Sequence, residues 1–218
     1  MRTLSKTEYD ELLMQSDVIE KDANGIKVFR GPDGCFSKTF WCRRKLTSRR
    51  FYPEWRRFSL NARALKRRGI PTVTILQIIR IPHLKRTGVI YRPLEGRTLR
   101  QVHAGGGFDE KLAGRLGGFF AQLHRRGIVF RALHFGNVLL CPDGQFGLID
   151  ISDMKVFPCP LAVRTRMRNF VHLFRYPDDL SILTGAGIQS FIDGYLEGQT
   201  SRRIKCGLQR ICNQWISK

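Results

Sequence analysis

The stretch NVLLCPDGQFGLID, residues 137–150, constrains this chain more than any other. Apolar runs flank a Pro-Asp-Gly turn, so the segment folds back as a short hairpin with Asn137 at one end and Asp150 at the other. A hairpin of this length brings those two polar residues together. Upstream, FDEKLAGRLGGFFAQLHRRG has the apolar spacing of an amphipathic helix from Asp109 to Arg126, with acids at its start and Gly127 at its stop. A strand-like IVF follows, then the loop FRALHFGN. From about Leu161 the pattern is helical again, through RTRMRNFVHLFRY and IQSFIDGYLEG. The second half therefore reads as helices enclosing one hairpin.

The first half reads differently. GIKVFRGPDGCFSKTFWC alternates apolar and polar residues around a Gly-Pro-Asp-Gly turn, which predicts two paired strands with Lys38 on the second. RRKLTSRR, residues 43–50, reads as a basic linker, followed by a helix from about Pro53 to Lys66. Trp55, Phe58, Leu60, Ala62 and Leu65 form its apolar stripe, with the arginines outward. TVTILQIIRI and TGVIYRPLEG are two further β-rich runs. The expected class is α+β: an antiparallel β-rich lobe with one helix over residues 1–92, and a mainly helical lobe over 93–218.

Composition narrows the partners. Thirty-eight Lys and Arg against eighteen Asp and Glu give a formal charge of +20, a potential that favours anionic partners. None of the six cysteines forms a CxxC pair or a zinc-like Cys/His spacing, and Cys35 and Cys141 read as reduced core thiols. MRTLSKTEYDELLMQSD is polar, without the apolar core of a signal peptide, and no run is long enough to span a bilayer. The expectation is a reduced, cytosolic protein whose membrane contact, if any, is peripheral.

Taken together, the order of elements and the motifs resemble the protein-kinase-like fold, and within it the bacterial lipopolysaccharide core sugar kinases and their toluene-tolerance relatives. The resemblance spans roughly residues 25 to 196 and implies a two-lobed architecture. LHFGN resembles the LHPGN loop of small-molecule kinases, which implies that Asn137 and Asp150 are metal ligands. One amide and one carboxylate oxygen suit Mg²⁺, which takes its remaining ligands from nucleotide phosphate and water. The resemblance further implies that Lys38 contacts phosphate oxygens and pairs with Glu54 on the following helix, and that Tyr91 and Leu94 lie near the adenine in a hinge, VIYRPLEG. ATP and Mg²⁺ are the implied cofactors. One family feature is missing: Gly25, Gly31 and Gly34 do not make the glycine-rich phosphate loop.

Counting back five from Asn137 lands on Ala132, where the family carries its catalytic Asp. Alanine can neither accept nor orient a proton. Three readings are open. His134 or Asp153 substitutes, with Arg131 retained beside the gap; the chain is a nucleotide-binding pseudokinase with a docking or regulatory role; or Ala132 is an introduced inactivating change. His134 also has a plainer role, orienting the loop through a bond to a backbone carbonyl.

The favoured function is ATP-dependent phosphoryl transfer to a hydroxyl of a lipopolysaccharide core sugar, or another anionic sugar acceptor, at the inner face of the cytoplasmic membrane of a Gram-negative bacterium. RRKLTSRR and RTRMR, residues 164–168, are candidate contacts to an anionic membrane surface. A nucleic-acid partner fits the charge, but no nucleic-acid motif accompanies it.

Overall fold

Alternating apolar residues in the first half close into one six-stranded sheet. The computed structural model describes residues 1–41, 53–198 and 201–216, so the basic run 43–50 lies outside the described residues. The chain divides into two units, Met1–Leu94 and Glu95–Lys218.

In the first unit the elements are β1 (Arg2–Thr3), α1 (Lys6–Met14), β2 (Asp17–Asp22), β3 (Gly25–Arg30), β4 (Phe36–Trp41), α2 (Glu54–Arg67), β5 (Thr74–Ile81) and β6 (Arg86–Arg92). Strand order is β1-β5-β6-β4-β3-β2. The expected hairpin is β3–β4, in register from Val28 against Lys38 to Arg30 against Phe36. Two expectations need correction. The sheet is mixed, because β1 runs parallel to β5 with Arg2 opposite Ile79. A second helix, α1, is also present. Its start is a capping box: Ser5 Oγ accepts from the Glu8 N–H at 3.1 Å, and the Glu8 carboxylate accepts from the Ser5 N–H at 2.7 Å. The helix then buries Tyr9 with Leu4, Phe29, Ile79 and Ile81.

Helix α2 buries Phe58, Ala62 and Leu65 as its period requires. Leu60 is a correction to the stripe: two residues past Phe58 it points away from that face, and it is 40% exposed. Arg86 is the largest fully buried side chain. Its guanidinium donates to the Asp22 carboxylate at 2.6 Å and to Thr39 Oγ1 at 2.8 Å, which satisfies a charge that would otherwise be costly to bury.

The second unit contains β7 (Arg97–Thr98), α3 (Leu99–Ala104), α4 (Glu110–Arg125), β8 (Ile128–Phe130), β9 (Val138–Leu140), β10 (Phe146–Leu148), β11 (Met154–Val156), α5 (Val163–Phe174), α6 (Pro177–Gly185), α7 (Ile188–Leu196) and α8 (Arg202–Ile216). The predicted hairpin is β9–β10, with β7 added to its other edge. β8 pairs with β11. α4 begins at Asp109, whose carboxylate accepts from the Leu112 N–H at 2.7 Å, and ends in basic residues that complement the dipole. It packs against α7 at near backbone contact. A Cβ on Gly194 would overlap the Gly114 carbonyl, and one on Gly117 would overlap the Phe191 carbonyl. Cys35, Cys141 and Cys212 are buried free thiols.

Gly194→Ala is expected to lower unfolding free energy by about 1–3 kcal/mol, since backbone on both sides must move. Gly185→Ala, where nothing stands within 4 Å of the added methyl, serves as the control and leaves stability unchanged or raised. Urea midpoints of the two variants check this.

Candidate functional site

The segment between β8 and β9, residues 131–137, is a compact loop tied by two backbone hydrogen bonds of its own. The His134 N–H donates to the Ala132 carbonyl at 3.0 Å, and the Asn137 N–H donates to the His134 carbonyl at 2.8 Å. Leu133 and Phe135 point into the core and are essentially unexposed. His134, between them, is only half-buried.

A buried carboxylate holds this loop. Asp179, in the first turn of α6, has a fully buried side chain. Its Oδ2 accepts from the Phe135 N–H at 2.7 Å and its Oδ1 accepts from Arg100 Nε at 2.7 Å. Phe135 also gives its carbonyl to the Leu99 N–H at 3.1 Å, so α3, the loop and α6 are tied at one residue. A second clamp precedes it. Asn169 on α5 donates to the Phe130 carbonyl at 2.7 Å and accepts from the Phe130 N–H at 3.2 Å, replacing a missing strand neighbour. His124 supports Asn169 at 3.3 Å and meets the Tyr195 hydroxyl at 2.8 Å.

The hairpin places the two expected metal ligands beside each other. The Ile149 N–H donates to the Asn137 carbonyl at 3.0 Å, so Asp150 follows directly on the residue bonded to Asn137. Asn137 is buried, and its Nδ2 donates to the Ala132 carbonyl at 3.0 Å. That bond leaves Oδ1, the atom a cation would need, with no hydrogen bond among the described residues. Asp150 is exposed and has left-handed backbone, φ 49° and ψ 49°. A non-glycine residue in that region is held there by its surroundings, and such residues cluster at functional positions. Among the described residues there is no group of three or more His, Cys, Asp or Glu able to hold a metal. A cation here would rest on Asn137 and Asp150 plus oxygens from a ligand and water. That donor set fits Mg²⁺ bound to phosphates.

His134 is half-buried, with its ring edge-on to Tyr176 at 5.0 Å. Its Nδ1 is buried without a hydrogen-bond partner, so that nitrogen does not bond a backbone carbonyl, which corrects the plainer reading. Burial first, and then the Arg100 charge, lower its pKa, while Asp179 and Asp150 oppose them. The net effect favours the neutral imidazole, the form able to accept a proton. Arg131 and Asp153 are both exposed; Asp153 ends the short turn Ile151–Asp153 after Asp150.

In the first unit, Lys38 sits on the central strand β4, opposite Val89 of β6, and is 8% exposed. Its Nζ lies 5.7 Å from the Phe58 ring centroid, so the ammonium faces α2. Glu54 lies one turn before Phe58, mostly exposed, with its carboxylate 3.9 Å from the Arg57 guanidinium. The Tyr91 ring packs between Phe36 at 5.9 Å and Phe58 at 5.4 Å, a core role beside the expected adenine contact. Leu94 is half-buried at the end of this unit.

Sequence reasoning missed Asp179, Asn169 and His124. Asp178 and Asp179 follow Pro177 at a helix start, where acids ordinarily serve the dipole, so only the fold reveals that one of them turns inward. Within RTRMR, Arg164 and Arg168 are exposed, but Arg166 is 6% exposed and donates to the Leu161 carbonyl at 2.8 Å, because helical spacing aligns it with buried Asn169 and Phe170.

Asp179→Ala is expected to cost about 2–4 kcal/mol, from two charge-assisted hydrogen bonds, and Asp179→Asn less. Denaturant melts measure it. His124 supplies a pH signature. Burial pushes its pKa down from 6.5 to about 3, so between those values the unfolded chain binds a proton that the native chain does not. Stability therefore falls as pH drops below 6.5, by about 1.4 kcal/mol per pH unit from this group. Urea midpoints at pH 6.5 and 5 are expected to differ less in His124→Gln.

No protein-family model and no curated protein sequence matches the chain. Solved structures of the bifunctional kinase-methyltransferase WbdD are similar to it at 16% identity. One has a TM-score of 0.48 and covers 87% of this chain and 47% of WbdD. Another, WbdD with a kinase inhibitor, has a TM-score of 0.49 and covers 85% and 43%. The chain thus spans under half the length of WbdD.

Proposed function

We propose that the chain is an ATP-dependent phosphotransferase of two-lobed, kinase-like fold, acting on a hydroxyl of a lipopolysaccharide core sugar. The observation that carries this reading is the register at the open end of β9–β10, where the Ile149 N–H meets the Asn137 carbonyl and Asp150 comes next, with the Asn137 Oδ1 left available and Asp150 held in left-handed backbone. Mg²⁺ bound there would neutralise charge on the nucleotide phosphates. Lys38 is assigned a phosphate contact, with Glu54 as its orienting acid. Tyr91 and Leu94 are assigned to the adenine side. Neutral His134 is the candidate base in place of the missing Asp, with Arg131 and Asp153 as supporting charges. The formal charge of +20 suits an anionic acceptor and the anionic inner face of the cytoplasmic membrane. Among the described residues no helix is long and apolar enough to cross a membrane; the membrane contact proposed is peripheral.

A second reading, a nucleotide-binding pseudokinase, is favoured by one observation. The methyl of Ala132 offers no proton acceptor, and its carbonyl is engaged by both Asn137 and His134.

The two are separated by measuring Mg²⁺-dependent thermal stabilisation by ATP together with phosphate transfer to core oligosaccharide. The phosphotransferase reading expects both, and expects Asp150→Ala to lose both. Stabilisation without transfer selects the pseudokinase. With neither, the reading of Asn137 and Asp150 as metal ligands is wrong. Ala132→Asp is expected to raise turnover by about tenfold or more, because a positioned base is restored.

A further inference from the structure

The second unit holds a basic cavity that shares only Arg131 with the phosphotransferase reading. It has a volume of about 260 Å³ and lies where β8 and β11 meet α5. The fold assembles it from three places. Lys155 stands opposite Val129 in the β11–β8 pair, and Arg131 follows β8 directly. Thr165, Arg168, Asn169 and His172 are spaced as one face of α5.

Its lining is one-sided in charge. Arg131, Lys155, Arg168 and His172 all face the cavity, and no acidic residue lines it. Among the described residues no ion pair or hydrogen bond reaches the Arg131, Lys155 or Arg168 side chains. Asn169 cannot offer its amide, since both ends are committed to Phe130. The crowding is felt by His172, whose pKa is lowered by burial and then by Arg175, Arg131 and Arg168. Three cations around one concave space repel one another, and an anion with more than one negative charge relieves that cost.

Size limits the anion. At about 260 Å³ the cavity falls just below the range of drug-sized ligand sites, roughly 300–1,000 Å³, which suits a phosphate with a small attached group better than a whole nucleotide. Guanidinium groups at 131 and 168 supply planar donor forks, the Lys155 ammonium a point charge, and Thr165 a hydroxyl.

We propose that this cavity binds the phosphate group of a small phosphate monoester through Arg131, Lys155, Arg168 and Thr165. The site lies one residue from Ala132, and it stands whether or not Asn137 and Asp150 hold a metal.

The test uses the full chain at fixed ionic strength, titrated with inorganic phosphate and with glucose 6-phosphate, while the His172 imidazole resonance is followed by NMR. The expected result is saturable binding of both, glucose 6-phosphate at least as tightly, with the His172 pKa raised on binding because an anion favours the imidazolium. Arg168→Ala and Lys155→Ala are expected to weaken binding about tenfold or more each, with unchanged circular dichroism. Arg164→Ala, an exposed arginine on the same helix that does not line the cavity, is expected to bind as the parent does. The proposal is overturned if His172 does not respond, if Arg164→Ala weakens binding as much as Arg168→Ala, or if glucose 6-phosphate is excluded while inorganic phosphate binds.

Discussion

A carboxylate removed from water fixes where the loop before β9 runs. Desolvating Asp179 is costly, and the cost is offset because each oxygen has its own donor, a peptide N–H on one side and a guanidinium on the other. Its place in the first turn of α6 adds the favourable end of the helix dipole. Loop backbone usually moves because nothing buried holds it. Here the peptide of Phe135 is held as firmly as a core strand, and its ring packs on Phe108 at 5.4 Å. Everything the loop presents, from His134 to Asn137, inherits that position.

The same economy of polar groups recurs in the first unit. Arg86 is buried without a full-strength ion pair of equal burial; Asp22 keeps partial exposure while Thr39 and the Ile26 carbonyl complete the shell. Such an arrangement joins β2, β3, β4 and β6 through one side chain. Breaking one member would leave the guanidinium under-satisfied, whereas an apolar replacement for the whole set could be tolerated. Charge in this protein is thus of two kinds: a few groups locked inside, and a large excess on the outside.

What could be read from the residues alone follows the strength of local signals. The β9–β10 hairpin and helix α4 were legible because turn chemistry and helical period agree over many residues. The register that sets Asp150 next to the residue bonded to Asn137 followed from the hairpin. Ser5-x-x-Glu8 was also a readable signal for α1, but it precedes a weakly amphipathic run and passed as a polar leader. β1 was not readable, since two residues pairing in parallel with a distant strand leave no periodicity. Asp179, Asn169 and His124 were invisible for a deeper reason. Their roles depend on which side chains the tertiary fold turns inward, and a polar residue on a helix gives no local hint that it will be buried.

The glycine contact between α4 and α7 has a consequence for how the molecule keeps its dimensions. Where two helices touch through side chains, a small slide can be absorbed by rotamers; where backbone meets backbone at Gly114 and Gly194, it cannot. α7 is therefore indexed against α4 like a key in a keyway. Tyr195, the residue after Gly194, meets His124, and His124 meets the Asn169 that clamps Phe130. A missing side chain thus acts as the gauge from which the position of strand β8 is measured.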